Sequence, residues 1–104
     1  MKSHEPRLSH QTLRVLAALL TDDHRGELSG AQLSRETGLA SGSLYPMLAR
    51  LEDAGWLSSR WETEDPRALG RPRRRFYRVT GLGAAKAQAA LKPLEPAIRR
   101  LSWT

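Results

Sequence analysis

Residues 61–83, WETEDPRALGRPRRRFYRVTGLG, decide the fold of this chain. Five arginines occupy the eight positions from Arg71 to Arg78, and prolines and glycines lie on both sides of them. The flanking runs 56–62 and 74–79 are rich in aromatic and β-branched residues, which predicts a two-stranded β-hairpin. A hairpin with so basic a connection indicates a contact with nucleic acid.

The positive charge of the chain is concentrated around this hairpin. The 104 residues carry 17 Lys and Arg against 11 Asp and Glu, a formal charge of +6, and positions 66–94 contain no acidic residue. Clustered charge is typical of an electrostatic footprint, whereas scattered charge mostly serves solubility. A solvated arginine-rich loop is the alternative that this segment alone leaves open.

The length of the chain predicts one domain with a small core, for which self-association is a common source of added stability. The longest apolar run, 15–20, is far too short to span a membrane, and the first ten residues lack the apolar core of a signal peptide. We therefore expect a soluble, cytoplasmic protein without membrane contact. The absence of cysteine excludes disulfides and thiolate metal sites.

Upstream of the hairpin the sequence predicts a helix-turn-helix. Ser9 can cap a first helix, and a second begins at Ser29 and stops at Gly38, a residue that takes the left-handed conformation without steric cost. Ser41 can cap a third helix over 41–53. Two helices joined by a tight glycine turn form the helix-turn-helix layout, and a hairpin directly after it is a wing.

The third predicted helix has one apolar face and one small polar face. Its apolar stripe consists of Leu44, Met47, Leu48 and Leu51. The side chains of the outward face are small near the start of the helix, so this face can lie deep in a major groove. There Ser43, Tyr45 and backbone N–H groups can reach bases or phosphates. Pro46 lies past the first turn, where a proline leaves a backbone carbonyl without a partner. Its presence therefore argues against a purely structural role for this helix. An amphipathic helix that faces only water is the alternative.

The aromatic residues of the hairpin have a simpler role. We expect Trp56, Trp61 and Tyr77 to pack the hairpin on the helices rather than to stack on bases. The three carboxylates at Glu62, Glu64 and Asp65 would repel DNA if they faced the same way as the arginines. They keep open a second function, in which the basic wing of an interaction module holds an acidic protein or RNA.

Several spaced motifs follow one another in the chain, namely GSLYPMLARLEDAGWL at 42–57, Ser59, Trp61, Glu62, GRPRR at 70–74, Tyr77, Thr80 and Gly83. Together they resemble the PadR family of bacterial transcriptional regulators, densely over 41–83 and more weakly before. The resemblance implies a mostly α fold with a small β-hairpin (α+β), a winged helix-turn-helix. It also implies a homodimer that represses transcription from a palindromic operator, with helix 41–53 in the major groove and the basic wing 62–75 beside it. The DNA-contact candidates that it implies are Ser41, Ser43, Tyr45, Pro46, Arg50, Arg71, Arg73 and Arg74.

The resemblance divides the chain into a DNA-binding part, 1–80, and a C-terminal helical dimerisation segment, 81–104, within one compact domain. The dimerisation candidates are Leu91, Leu94, Ile98 and Leu101, which have the three- and four-residue spacing of a helix pair. Pro93 and Pro96 interrupt that helix, because interior proline costs roughly 3 kcal/mol. We expect one helix over 81–91 and a second over 93–103. The stripe could instead pack on its own domain.

One stretch departs from the family pattern. Many members carry GYEL in the second helix, and this chain has GAQL at 30–33. Small members bind planar drug-like or phenolic effectors in a dimer cavity lined by aromatic side chains, for which Trp103 is the candidate here. Trp103 could equally cover the core.

Catalytic and cofactor sites are not expected. Gly81 and Gly83 follow a strand and open a helix, but the third glycine of a dinucleotide fingerprint is replaced by Lys86, and Thr80 as a helix cap explains the pattern better. The three histidines are dispersed and lack metal-ligand spacing. We expect a protein that is not an enzyme and that needs no cofactor and no metal.

Overall fold

A helix-turn-helix packs against a three-stranded antiparallel sheet in the computed structural model, which describes residues 5–21, 26–94, 96 and 100. Within these residues the elements are α1 His10–Leu20, β1 Leu28–Ser29, α2 Gly30–Thr37, α3 Ser41–Asp53, β2 Leu57–Trp61, α4 Pro66–Leu69, β3 Arg75–Val79 and α5 Gly81–Leu91. A short 3₁₀ helix, Lys92–Leu94, follows α5. The α+β winged-helix class predicted from the sequence is confirmed.

Three helix starts are those that the sequence predicts. Ser9 accepts a hydrogen bond from the backbone of Thr12, and Thr80 accepts one from Gly83. Ser29 forms a capping box with Gln32, in which each side chain accepts from the backbone of the other residue. These caps satisfy N–H groups that would otherwise lack a partner in the first helical turn.

The start of α3 differs from the prediction by one residue. Ala40 is the N-cap and Ser41 is the first helical residue, so Ser41 is not the cap. After the left-handed Gly38, with φ of 73°, Leu39 is drawn into the core and Ser34 donates a hydrogen bond to its carbonyl oxygen. This anchor makes the chain enter the helix directly at Ala40, whose carbonyl already accepts from Leu44.

The sheet has a third strand that the sequence did not predict. Strand β1 pairs with β3 in the register Leu28↔Tyr77, and β3 lies in the middle of the sheet, with the order β1-β3-β2. A strand of two residues is too short to show an alternating pattern. It exists because the fully buried Leu28 brings its backbone against β3, a long-range contact.

The connection between β2 and β3 also contains more structure than the predicted polar run. Asp65 caps α4 by accepting from the backbone of Arg67 at 3.0 Å, Pro66 occupies its first turn, and Gly70 ends it with φ of 67°. These are ordinary start and stop signals for a helix. The helix folds the wing, residues 62–75, back on itself.

The core lies between α1, α2, α3 and the sheet. Its largest fully buried side chain is Trp56, and the predicted apolar stripe of α3 is buried with it. Tyr77 is also buried, which confirms its packing role. Trp61 is 56% exposed, so the expectation that it packs on the helices is wrong. It is the last residue of β2, and burial decreases along that strand from Leu57 outward.

Helix α5 ends at Leu91, two residues before Pro93, as the proline predicted. Leu82 and Leu91 on this helix are 49% and 41% exposed. The predicted second helix falls largely outside the described residues, as do the dimerisation candidates Ile98 and Leu101 and the effector candidate Trp103; of Leu94 only the backbone is described. No helix within the described residues is long and apolar enough to cross a membrane.

Candidate nucleic-acid interface

Helix α3 presents its candidate contacts on one open face. The exposed residues of this face are Ser41, Gly42, Ser43, Tyr45, Pro46, Ala49 and Arg50. The opposite stripe is buried against the core, which holds the helix at a fixed depth. The five residues predicted on this helix are therefore accessible to a partner.

Tyr45 rests on the first turn of α2. A Cβ atom built on Gly30 would lie 2.7 Å from Cε1 and 2.8 Å from Cζ of the Tyr45 ring, and closer still to its hydroxyl oxygen. The ring therefore packs where only a glycine leaves room. Tyr45 remains 46% exposed, so it is supported on one side and open on the other. This support was missed in the sequence, because the two residues belong to different helices.

We expect Gly30→Ala to move the Tyr45 ring while leaving the fold nearly intact. The displaced atoms are the far end of a half-exposed side chain, and alanine favours a helix, so the free energy of unfolding should change by less than about 1 kcal/mol. The ring resonances of Tyr45, followed by NMR, should shift. Gly42→Ala is the control, since no neighbouring atom of the described residues lies within 4 Å of a Cβ there. Unchanged Tyr45 resonances in Gly30→Ala would contradict the contact.

Arg71 is held inside the wing. Its terminal nitrogens donate to Oε1 and Oε2 of Glu62 at 2.6 and 3.0 Å, and the same carboxylate accepts from the backbone N–H of Arg74 at 2.8 Å. The Glu62 side chain is only 12% exposed. This bidentate pair joins the two ends of the wing, so Arg71 has a structural partner that its position in the sequence did not reveal.

The Arg71 guanidinium, followed by the Arg74 backbone N–H, lowers the pKa of Glu62 from 4.5 to about 2. Because the folded state has the lower pKa, the pair contributes stability above about pH 4.5 and loses it as the pH falls towards 2. We expect Glu62→Gln to lose less stability than the parent chain across that interval. Urea titrations at several pH values from 6 to about 2 measure this difference. Parallel curves for the two proteins would exclude the pair as a source of acid sensitivity.

Two of the three wing carboxylates accept hydrogen bonds from other residues of the wing. Glu62 binds Arg71, and the Asp65 carboxylate accepts from the backbone at the start of α4. Glu64 is exposed, and its backbone carbonyl accepts from Nε of Arg73 at 2.9 Å. Because, among the described residues, only Glu62 of the three is paired with a cation, the repulsion expected between these acids and DNA phosphates is reduced to Glu64 and Asp65.

A cleft of about 420 Å³ joins α3 to the wing. Its lining is Ser29, Gly30, Ala31, Tyr45, Trp61, Arg73, Arg74, Arg75 and Tyr77. Tyr45 of the helix and the exposed Arg73 and Arg74 of the wing thus lie around one surface. Arg50 lies apart from them and lines a separate cavity with residues of the segment before α1. Ala31, which stands where the family pattern GYEL has its aromatic residue, lines this cleft on the α2 side.

The described residues contain no group of His, Asp and Glu side chains that could hold a metal ion. The side chains that line the cleft provide guanidinium groups, hydroxyls and aromatic rings. Such groups bind phosphates and base edges.

The chain is similar to known transcriptional regulators. The model of the PadR-like family of transcriptional regulators matches residues 24–89. The structure of the transcriptional regulator PA4135 superposes with a TM-score of 0.72 at 24% identity, covering 90% of this chain and 62% of that one. A PadR family regulator from Eggerthella lenta gives a TM-score of 0.65 at 21% identity, covering 88% and 77%.

Bacillus subtilis PadR, solved in complex with operator DNA, gives a TM-score of 0.63 at 20% identity, covering 77% of this chain and 46% of that one. This chain therefore spans less than two thirds of the length of PA4135 and less than half of the Bacillus protein. No curated protein matches it in sequence. The match of the family model extends over more than half of the chain, and the protein belongs to the PadR-like family of transcriptional regulators.

Proposed function

We propose that this protein is a homodimeric repressor that binds double-stranded DNA at a palindromic operator. Helix α3 enters the major groove, and the wing, residues 62–75, lies along the phosphate backbone. The observation that carries the proposal is the shared surface of Tyr45, Arg73 and Arg74. A duplex laid on that surface meets the small face of the helix and the guanidinium groups at the same time.

The two parts of this surface have different tasks. Exposed Arg73 and Arg74 supply affinity, because arginines that neutralise phosphates release condensed counterions whatever the sequence. Ser43 and Tyr45 supply specificity, because hydroxyl groups in the major groove distinguish base edges. Ser41 lies in the first turn of the same helix, where free backbone N–H groups can face a phosphate, and Pro46 lies on the same exposed side beyond that turn. In this proposal the protein binds DNA and catalyses no reaction.

Dimerisation is assigned to the C-terminal segment 81–104. Helix α5 exposes Leu82 and Leu91, large apolar side chains that a second copy would cover. The proposed contact continues through Leu94, Ile98 and Leu101. A two-fold dimer places its two α3 helices against two half-sites, which is the reason for a palindromic operator. We also propose that the protein acts in the cytoplasm and that it binds a planar aromatic effector near Trp103.

The proposal is tested by gel shift with the DNA upstream of the gene itself, against an excess of unrelated competitor duplex. We expect specific retention of that DNA by a dimer. Ser43→Ala and Tyr45→Phe should alter the selected sequence by about 1 to 3 kcal/mol at particular base pairs. Absence of retention even at low salt would overturn the proposal and favour the interaction module that holds an acidic protein or RNA.

A further inference from the structure

Arg75 is placed differently from the other arginines near the wing. It is the first residue of β3 and pairs with Trp61, the last residue of β2, so it lies where the hairpin opens into the wing. Its side chain is 39% exposed and lies on the face of the sheet that carries Ser59 and Tyr77. That face is turned towards α3.

The guanidinium group of Arg75 joins three elements. Its Nε donates to Oγ of Ser59 on β2 at 2.8 Å, and its Nη2 donates to Oε1 of Glu52 at 3.1 Å. Ser59 in turn donates to Oε2 of Glu52 at 2.5 Å, which closes the network. Glu52 lies in the last turn of α3. The Arg75 side chain therefore connects the end of α3 with both strands at the base of the wing.

Two aromatic rings lie close to the same guanidinium group. Its central carbon lies 5.5 Å from the centroid of the Trp61 ring and 5.9 Å from that of Tyr77. Both distances are in the range of cation–π contacts. The half-exposed Trp61, which does not pack on the helices, thus has a role as a support for Arg75.

We infer that Arg75 is a positioning residue that sets the wing at a fixed distance and angle from α3. It is not one of the arginines that neutralise phosphates. The inference rests on the proposed function, since the distance between helix and wing matters when both must meet one duplex. A lysine in this position keeps the charge but lacks the planar group that binds Ser59 and Glu52 together.

The test compares Arg75→Lys, Glu52→Gln and the double variant by fluorescence anisotropy. Two probes are used: the duplex that the parent chain selects from a randomised pool, and a scrambled duplex of equal length. We expect each single variant to weaken binding to the selected duplex on the order of 10-fold, the cost of one mismatched base pair. The double variant should be no weaker than either single one, because both changes break the same bridge. Binding to the scrambled duplex should stay within about 2-fold.

Salt dependence separates positioning from phosphate contact. Arg75→Lys should leave the slope of log K against log salt unchanged, since no phosphate contact is lost. Arg78→Lys is the matched control: it is an exposed arginine of the same strand, on the opposite face of the sheet, the charge is kept, and it should bind both probes like the parent. The inference would be overturned if the effects of Arg75→Lys and Glu52→Gln on binding simply add. It would also be overturned if Glu52→Gln binds the selected duplex as tightly as the parent.

A loss of folding has a different signature. The ratio of the two affinities, measured well below the unfolding temperature, does not change when a variant is merely less stable. Glu52→Gln keeps the shape of the side chain, so it serves if Arg75→Lys unfolds. A parent chain that selects no duplex would overturn the proposed function and the inference together. A parent that selects one, with variants that discriminate equally well, would overturn the inference alone.

Discussion

Gly83→Ala is expected to lower the free energy of unfolding by about 3 kcal/mol, the upper range for overpacking a core. Gly83 is a buried residue in the first turn of α5. A Cβ there would lie 2.9 Å from Cγ1 of Val79 and 3.0 Å from the carbonyl carbon of Trp56, and nearer still to its oxygen. That oxygen cannot retreat, because it accepts the backbone hydrogen bond of Thr80 at 3.0 Å.

The size of this effect makes it easy to measure. A small domain has about 5 to 15 kcal/mol of stability in total, so the loss should lower Tm by more than about 10 °C. Gly81→Ala is the matched control, two residues earlier in the same helix. No neighbouring atom of the described residues lies within 4 Å of a Cβ at that site. The control should be neutral or more stable by up to about 1 kcal/mol, because alanine favours a helix. Equal urea midpoints for the two variants would contradict the close packing of α5 on the α3–β2 turn.

Replacement of both Arg73 and Arg74 by alanine is expected to weaken binding to all duplexes on the order of 30-fold at 0.15 M salt. The estimate assumes two lost phosphate contacts, each of which contributes about 0.9 to the slope of log K against log salt. The slope should therefore fall by nearly two units. Anisotropy titrations between about 0.05 and 0.3 M salt measure it. The choice of sequence should change little, since the proposed contacts of these side chains are with the DNA backbone and not with the bases.

The control for this experiment removes an arginine that is already paired. Arg71→Ala combined with Glu62→Gln deletes the ion pair of the wing without changing the net charge. We expect its salt slope to equal that of the parent chain. A slope that falls in this control by as much as in the arginine pair would place Arg71 on the DNA after all. An unchanged slope in Arg73→Ala with Arg74→Ala would remove the wing from the interface.

The elements that the sequence predicted well depend on neighbouring residues. The caps at Ser9, Ser29 and Thr80 each involve a partner three residues away, and Gly38 ends α2 through its own backbone conformation. The end of α5 before Pro93 has an equally local cause, since proline cannot continue a helix at low cost. The helix-turn-helix followed from these signals together with the apolar stripe of α3. The hairpin followed from two aromatic and β-branched runs separated by a polar connection.

The candidate site was predicted in composition but not in detail. The sequence placed the arginines in a wing, yet it could not divide them into paired and exposed ones. Arg71 was predicted to contact DNA and is bound to Glu62, nine positions away; Arg75 meets Glu52 across 23 positions. Trp61 was expected in the core and lies beside Arg75 instead. Each of these outcomes depends on which carboxylate the fold brings within reach.

The sequence by itself determined the order of the elements, the buried face of α3 and the concentration of positive charge near the wing, because these depend on periodicity, caps and composition. Only the tertiary structure decided which arginines remain exposed, where Tyr45 rests and how the third strand joins the sheet. Hydrogen bonds and ring contacts extend over a few ångströms, so they are settled by residues that are distant in sequence and adjacent in space. For this protein that difference narrows the expected phosphate contacts of the wing from Arg71, Arg73 and Arg74 to the exposed Arg73 and Arg74.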